Sequence, residues 1–164
     1  MQTCLRMLSP IGILAVVAED DAIAAIRWVA AAPPEGEPSS PLLIEAARQL
    51  TAYFAGRLTR FELPLAPAGS PFEQRVWSAM CDINYGETRR YGELAAAIGS
   101  APRAVGGACG RNPIPIVIPC HRVLARGRLG GYSGEGGLAT KRHLLALEGA
   151  LPEEMPLLRP RRAA

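Results

Sequence analysis

Metal-ligand spacing is missing from this chain. Its four cysteines, Cys4, Cys81, Cys109 and Cys120, form no Cys-x-x-Cys pair, and its two histidines, His121 and His143, have no His-x-x-x-His partner. Neither a metal nor another cofactor is therefore expected. No glycine-rich loop ends in Gly-Lys-Ser/Thr and none follows a strand as a dinucleotide fingerprint does, which weakens any phosphate-cradle reading. No apolar run reaches transmembrane length, so no membrane association is expected. Arg6 and the apolar stretch to Ala18 have the outline of a signal peptide, but Pro10 and Gly12 interrupt it and the pattern continues as strands. With 164 residues, 49% of them hydrophobic, the chain can bury a real core without a disulfide framework. Reduced thiols in a cytoplasm are the simpler expectation.

Positive charge is scarce in the first part and concentrated in the second. Residues 1–70 carry five arginines against seven acids, whereas residues 71–164 carry thirteen Lys/Arg against eight acids. Between Arg89 and Arg128, seven arginines face only Glu93, and Lys141 is the single lysine of the chain. Such a basic strip suits a phosphate backbone or an ordinary solvated face equally well on charge alone.

The punctuation of the chain predicts an α/β (α+β) protein in two lobes. Residues 1–69 read as a small lobe with an antiparallel sheet: Thr3–Leu8, a second strand to Val17, and Ile23–Val29. A loop from Pro33 to Pro41 follows, then a helix opening at Ser40-Pro41 with Leu43, Ala47, Leu50 and Phe54 on one face and Gly56 as its stop. Phe61–Leu65 is a candidate fourth strand. Residues 70–150 read as a mostly helical lobe. Ser70-Pro71-Phe72-Glu73 is a capping box, and Phe72, Val76, Trp77 and Met80 form the apolar face behind it. Short helices near Tyr91–Ile98 and Arg103–Arg111, joined at Gly99-Ser100-Ala101-Pro102, make a helix-turn-helix. A last helix runs from Leu138 to Glu148, closed by Gly149, and 151–164 is a frayed tail.

The second helix of the pair contains Gly106, Gly107 and Gly110, each costing about 1 kcal/mol relative to alanine in a helix interior. Two uses would compensate: close packing inside the protein, or entry of a nearly bare helix into the minor groove of DNA, which is only about 6 Å wide.

The chemistry concentrates in Asn112-Pro113-Ile114-Pro115-Ile116-Val117-Ile118-Pro119-Cys120-His121-Arg122-Val123. A thiol becomes a nucleophile at neutral pH when a base or cation adjoins it, and His121 and Arg122 can supply both influences. The three prolines predict a short, extended, rigid and buried run that delivers Cys120 to a defined place. An isolated Cys-His pair is more often an inert core cysteine beside a surface histidine. The glycine-dense stretch from Gly127 to Gly137 reads as a binding wall.

Together these elements resemble the 6-O-alkylguanine-DNA alkyltransferases, also called methylated-DNA-protein-cysteine methyltransferases. Pro-Cys-His-Arg-Val after Asn-Pro is highly specific to that family, and the similarity runs from Pro71 to Gly149. The resemblance implies stoichiometric repair of DNA: an alkyl group moves from the 6-oxygen of a flipped guanine to Cys120, and the protein is consumed. Relatives with tryptophan in place of the cysteine bind lesions without repairing them. By resemblance, His121 draws the thiol proton through a bound water, Glu148 orients His121, and Asn112 holds the turn. Tyr91 and the backbone of Ser133 serve the departing oxygen. The carbonyls of Cys120 and Val123 read the exocyclic amine, Pro115 and Tyr132 line the pocket, and Lys141 polarises it. Arg103 fills the gap in the base stack, with Ala104, Gly107 and Arg111 also at the DNA. Arg122, Arg126 and Arg128 are candidates for phosphate contacts or site structure. The implied partner is duplex DNA with alkylated guanine, bound by a monomer without an obligate protein partner. Three features depart from the animal members: Cys109 in place of a methionine against the base, a turn before Arg103 shorter by two residues, and the added Glu135-Gly136.

A cysteine hydrolase is the first rival, although its Cys and His normally come from distant positions. A regulator that uses the helix-turn-helix with Cys120 as a sensor is the second.

Overall fold

The computed structural model describes residues 1–32 and 40–152. The expected loop from Pro33 to Pro41 and the expected tail thus fall, but for Ser40, Pro41, Leu151 and Pro152, outside the described residues. The chain opens with β1 (Gln2–Ser9), β2 (Gly12–Glu19) and β3 (Ala22–Trp28), an antiparallel sheet in the order β1-β2-β3. Its middle strand is the buried one: Leu14, Val16 and Ala18 are sealed from solvent, with Ile23 and Ile26 of β3 beside them. Phe61–Leu65 does not form a strand. It contributes a single parallel bridge, Leu65 to Ile23.

Helix α1 (Pro41–Phe54) starts where Ser40 accepts a hydrogen bond from the Leu43 N–H, with proline in the first turn, and ends at Gly56, whose φ is 73°. Its buried face is Leu43, Ala46, Gln49, Leu50 and Tyr53, one residue out of phase with the expected Ala47 and Phe54. The difference matters, because it turns Tyr53 inward.

Helix α2 (Pro71–Cys81) carries the full capping box between Ser70 and Glu73 and buries Val76, Trp77 and Met80. Strand β4 (Arg89–Arg90) leads into α3 (Tyr91–Ile98), which Gly99 closes in the left-handed conformation at φ 69°. Helix α4 (Pro102–Gly110) follows and completes the helix-turn-helix. The Trp77 indole donates to the Ala108 carbonyl at 2.9 Å, tying α2 to α4. Beyond the cysteine, β5 (Val123–Leu124) pairs in parallel with β4, a two-residue contact that no periodicity announces. Helix α5 (Leu138–Leu147) packs Leu144 and Leu145 inward. One apolar core runs unbroken from Leu14 and Leu43 to Ile114 and Leu144. No helix among the described residues is long and apolar enough to cross a membrane.

Candidate active site

The run before the cysteine is buried, as expected, but it is not extended. Ile114 to Ile118 close a compact turn, with the Ile118 N–H on the Ile114 carbonyl at 2.9 Å, and Ile116 sits at φ 76°. A β-branched residue in that region costs about 1–3 kcal/mol. Asn112 offsets the strain from inside the turn, its amide donating to the Ile118 carbonyl at 2.8 Å and accepting from the Ile114 N–H at 3.0 Å. The proline-rich run therefore makes a knot rather than a rod. It ends in a single 3-10 turn, Cys120–Arg122, whose three side chains are all buried.

Cys120 lies on the wall of a cavity of about 480 Å³ shared with Tyr91, Gly106, Cys109, Gly130, Tyr132 and Ser133. Burial pushes its thiol up, while the Asn112 side chain, the Lys141 cation and the N–H groups of Cys120 and His121 favour the thiolate. Burial prevails in the free protein, so the thiol keeps its proton until a base removes it. His121 is fully buried, and burial pushes its imidazole below the usual range despite the neighbouring carboxylate of Glu148. It is thus a neutral base. Its Nε2 is 2.8 Å from Glu148 Oε1, and its buried Nδ1 has no hydrogen-bond partner among the described residues. With Glu148 ionised, Nε2 is the protonated nitrogen and Nδ1 carries the free lone pair.

Glu148 is the hub. Burial works against its charge, but hydrogen bonds from His121 and Arg122 hold the carboxyl down at about 2. Arg122 donates from Nε to Oε2 at 2.9 Å and from Nη2 to Oε1 at 2.8 Å, and its Nη1 reaches the Ile83 carbonyl at 2.6 Å. The Tyr53 hydroxyl, from the N-terminal part of the chain, donates to the same Oε1 at 2.9 Å. Of the two options open for Arg122, these contacts favour site structure: the side chain is buried and spent on Glu148 and the Ile83 carbonyl. They also correct the source of cationic influence on the thiol, which is Lys141. That lysine is buried, donates to the Val123 carbonyl at 2.6 Å and the Gly131 carbonyl at 3.0 Å, and stands 5.8 Å from the Tyr91 ring centroid. Burial brings its pKa down to about 8. Its charge therefore supports a thiolate below about pH 8 and fades above it. Lys141→Met is expected to shift the pH midpoint of Cys120 alkylation upward by about one unit, with about tenfold slower reaction at pH 7; iodoacetamide labelling across pH checks this.

The remaining candidate residues divide. Tyr91 and Tyr132 both line the cavity; burial first, then the neighbouring thiols, pushes the Tyr91 hydroxyl up to about 12, which keeps it a proton donor. Val123 is buried and its carbonyl is already engaged by Lys141. Pro115 is not on the Cys120 cavity; it lines an adjoining one with Trp28, Gly110 and Ser133. Arg103 and Ala104 are exposed at the start of α4. Arg111 is exposed and pairs with Glu73 at 3.2 Å. Gly106 and Gly110 border the Cys120 cavity, where an added Cβ would meet nothing within 4 Å, and one on Gly107 would meet the Arg111 guanidinium. Close packing therefore does not explain Gly107, while Gly106 and Gly110 leave open space beside Cys120. Cys109, buried with its Sγ 3.4 Å from Met80 Sδ, shares the cavity, and burial first pushes its thiol up to about 12.

Residues 71–150 match the model of the 6-O-methylguanine DNA methyltransferase DNA-binding domain, and residues 6–67 that of the ribonuclease-like domain of the same proteins. The chain belongs to the 6-O-methylguanine DNA methyltransferase family. A methylated-DNA--protein-cysteine methyltransferase of Mycolicibacterium paratuberculosis is 49% identical over 150 residues, 85% of this chain and 88% of that one. One from Methanosarcina acetivorans is 56% identical over 109 residues, 65% of this chain and 69% of its own. The crystal structure of the Mycobacterium tuberculosis O6-methylguanine methyltransferase superposes with a TM-score of 0.79 at 41% identity, covering 92% of this chain and 94% of that one. A structure of the M. tuberculosis protein in complex with DNA superposes at 0.77 with 44% identity, over 91% and 94% of the two chains. This member of the family is a DNA-binding protein, and the sequence resemblance and the fold agree.

Proposed function

We propose that this chain repairs duplex DNA by moving an alkyl group from the 6-oxygen of guanine onto the Cys120 sulfur, once per molecule. The observation that carries the reading is a cysteine on the wall of a cavity of about 480 Å³, ample for a base, behind which a neutral histidine is tied through Glu148 to two further donors. As the target nucleotide rotates out of the stack, at a cost of a few kcal/mol, its oxygen faces Tyr91 and the Ser133 backbone. The thiol proton passes to Nδ1 of His121 through a water. The sulfur then attacks the alkyl carbon in line: the carbon–sulfur bond forms, the carbon–oxygen bond breaks, and its electron pair goes to the guanine oxygen as the Tyr91 hydroxyl donates to it. The carbonyls of Cys120 and Val123 hold the exocyclic amine. The thioether has no leaving group to reverse the step, and Cys109, with a pKa of about 12, is no thiolate to take the carbon back. Residues 1–69 supply the supporting lobe and 70–150 the reacting one, in a monomer of the cytoplasm acting without a protein partner.

The experiment is a dose titration against duplex containing methylguanine. Lesion removal should stop at one per chain and disappear in Cys120→Ser. A cysteine hydrolase would continue past equivalence.

Arg103, exposed on the first turn of α4, takes the place of the rotated base. Arg103→Ala is expected to slow reaction on duplex by about 100-fold and to leave reaction with free methylguanine base within twofold; equal losses on both substrates would remove the arginine from the stack.

A further inference from the structure

The wall that carries Tyr132 and Ser133 leans on a residue from the opposite end of the chain. Trp28 closes β3, and its indole N–H donates to the Ile11 carbonyl at 2.9 Å, which sets the plane of the ring. Its edge meets the Tyr132 ring at 90°, with centroids 6.4 Å apart. Among the described residues the buried Tyr132 hydroxyl finds no hydrogen-bond partner to anchor the ring. Packing alone orients that ring. Gly134 shows how closely: a Cβ there would stand 2.7 Å from the Trp28 ring and overlap Tyr132 as well. Trp28, Ser133 and Gly134 line a cavity of about 280 Å³ that shares Gly110 and Ser133 with the Cys120 cavity.

We infer that Trp28 is a positioning residue for the guanine pocket. It holds the Tyr132 ring and the Ser133 backbone where a rotated base must lie between them and Cys120. The inference rests on the proposed role of Tyr132 and Ser133 as guanine contacts. Through it the N-terminal sheet takes part in substrate binding without touching substrate.

The test is single-turnover reaction of the full chain with free methylguanine base, followed against base concentration. Trp28→Ala should raise the half-saturating concentration about tenfold and leave the limiting rate within threefold, since the thiol and its base are untouched. Trp28→Phe keeps an edge against Tyr132 and should recover to within threefold of the native chain. Gly134→Ala leaves Trp28 in place but wedges the two rings apart, and should reproduce the loss even if Trp28→Ala does not fold. Adding Trp28→Ala to Tyr132→Ala should weaken binding by no more than twofold further, because the two act as one unit. If Tyr132→Ala weakens binding and Trp28→Ala stays within twofold of the native chain, the positioning role is wrong. If Tyr132→Ala itself changes nothing, the pocket assignment fails and the role fails with it. A loss shared equally by rate and concentration, with no rescue by phenylalanine, would reduce Trp28 to fold support and overturn the inference.

Discussion

Glu148→Ala is expected to be the most damaging change outside the cysteine itself, because one carboxylate serves three donors. Removing it leaves the buried Arg122 guanidinium without a counter-charge and strips the acceptor from His121 Nε2 and the Tyr53 hydroxyl. Breaking one side of a buried pair costs about 3–5 kcal/mol, which should lower Tm by about 10 °C or more in a chain of this size. The rate of methyl transfer should fall at least about 100-fold, since His121 loses both the tautomer and the orientation that make Nδ1 a base. Tyr53→Phe removes a single donor and should cost only about 1 kcal/mol, with a rate change below tenfold. The pH dependence has a definite sign. Glu148 has its pKa lowered to about 2 in the fold, against about 4.3 for a free glutamate. Its contribution of about 3 kcal/mol is complete above about pH 4.3 and is lost as pH falls towards 2. Acid unfolding of the native chain should therefore be steep in that window, and shallow in Glu148→Gln. Thermal melts from pH 7 to pH 2, with single-turnover rates at neutral pH, check all of these outcomes.

Gly107→Leu should separate stability from function in opposite directions. At Gly107 an added Cβ meets only the end of the exposed Arg111 side chain, at 3.3 Å, so the fold accommodates it. Leucine regains most of the roughly 1 kcal/mol that glycine forfeits in a helix, and Tm should rise by about 2–4 °C. Gly107 does not line the Cys120 cavity, so reaction with free base should stay within twofold. A leucine on the outward face of α4 would nonetheless obstruct the approach of a groove about 6 Å wide, and reaction on duplex should fall about 100-fold. Melting curves paired with rates on the two substrates give the answer. A lowered Tm with unchanged duplex reaction would place the glycine in packing instead.

What could be read from the chain follows from how local each signal is. Ser70-Pro71 and Gly99 mark helix ends because capping is settled within four residues, and both stand where the sequence places them. The Asn112 turn and the Cys120-His121 pair lie in one short motif, so the candidate site is legible in the sequence. Tyr53 is not: it reaches Glu148 across 95 positions, and one residue of helical phase in α1 decides whether it points inward. The sequence leaves Arg122 open between two roles for a related reason. An arginine in a basic strip looks like a phosphate ligand until a carboxylate 26 positions away claims it. The prolines around Ile116 imply rigidity, but rigidity is compatible with a closed turn as well as an extended strand, and Asn112 decides between them. Trp28 gave no signal at all, because its partner lies in a glycine-dense loop that has no periodicity of its own.

The most direct measurement is the mass of the protein after reaction. Mixed with an excess of duplex carrying methylguanine, digested and weighed peptide by peptide, the chain should gain one methyl in place of one hydrogen, on the peptide that holds Cys120 and on no other, with Cys109 unchanged. Recovery of every peptide at its original mass while the lesion disappears, or a methyl found on Cys109, would contradict the account.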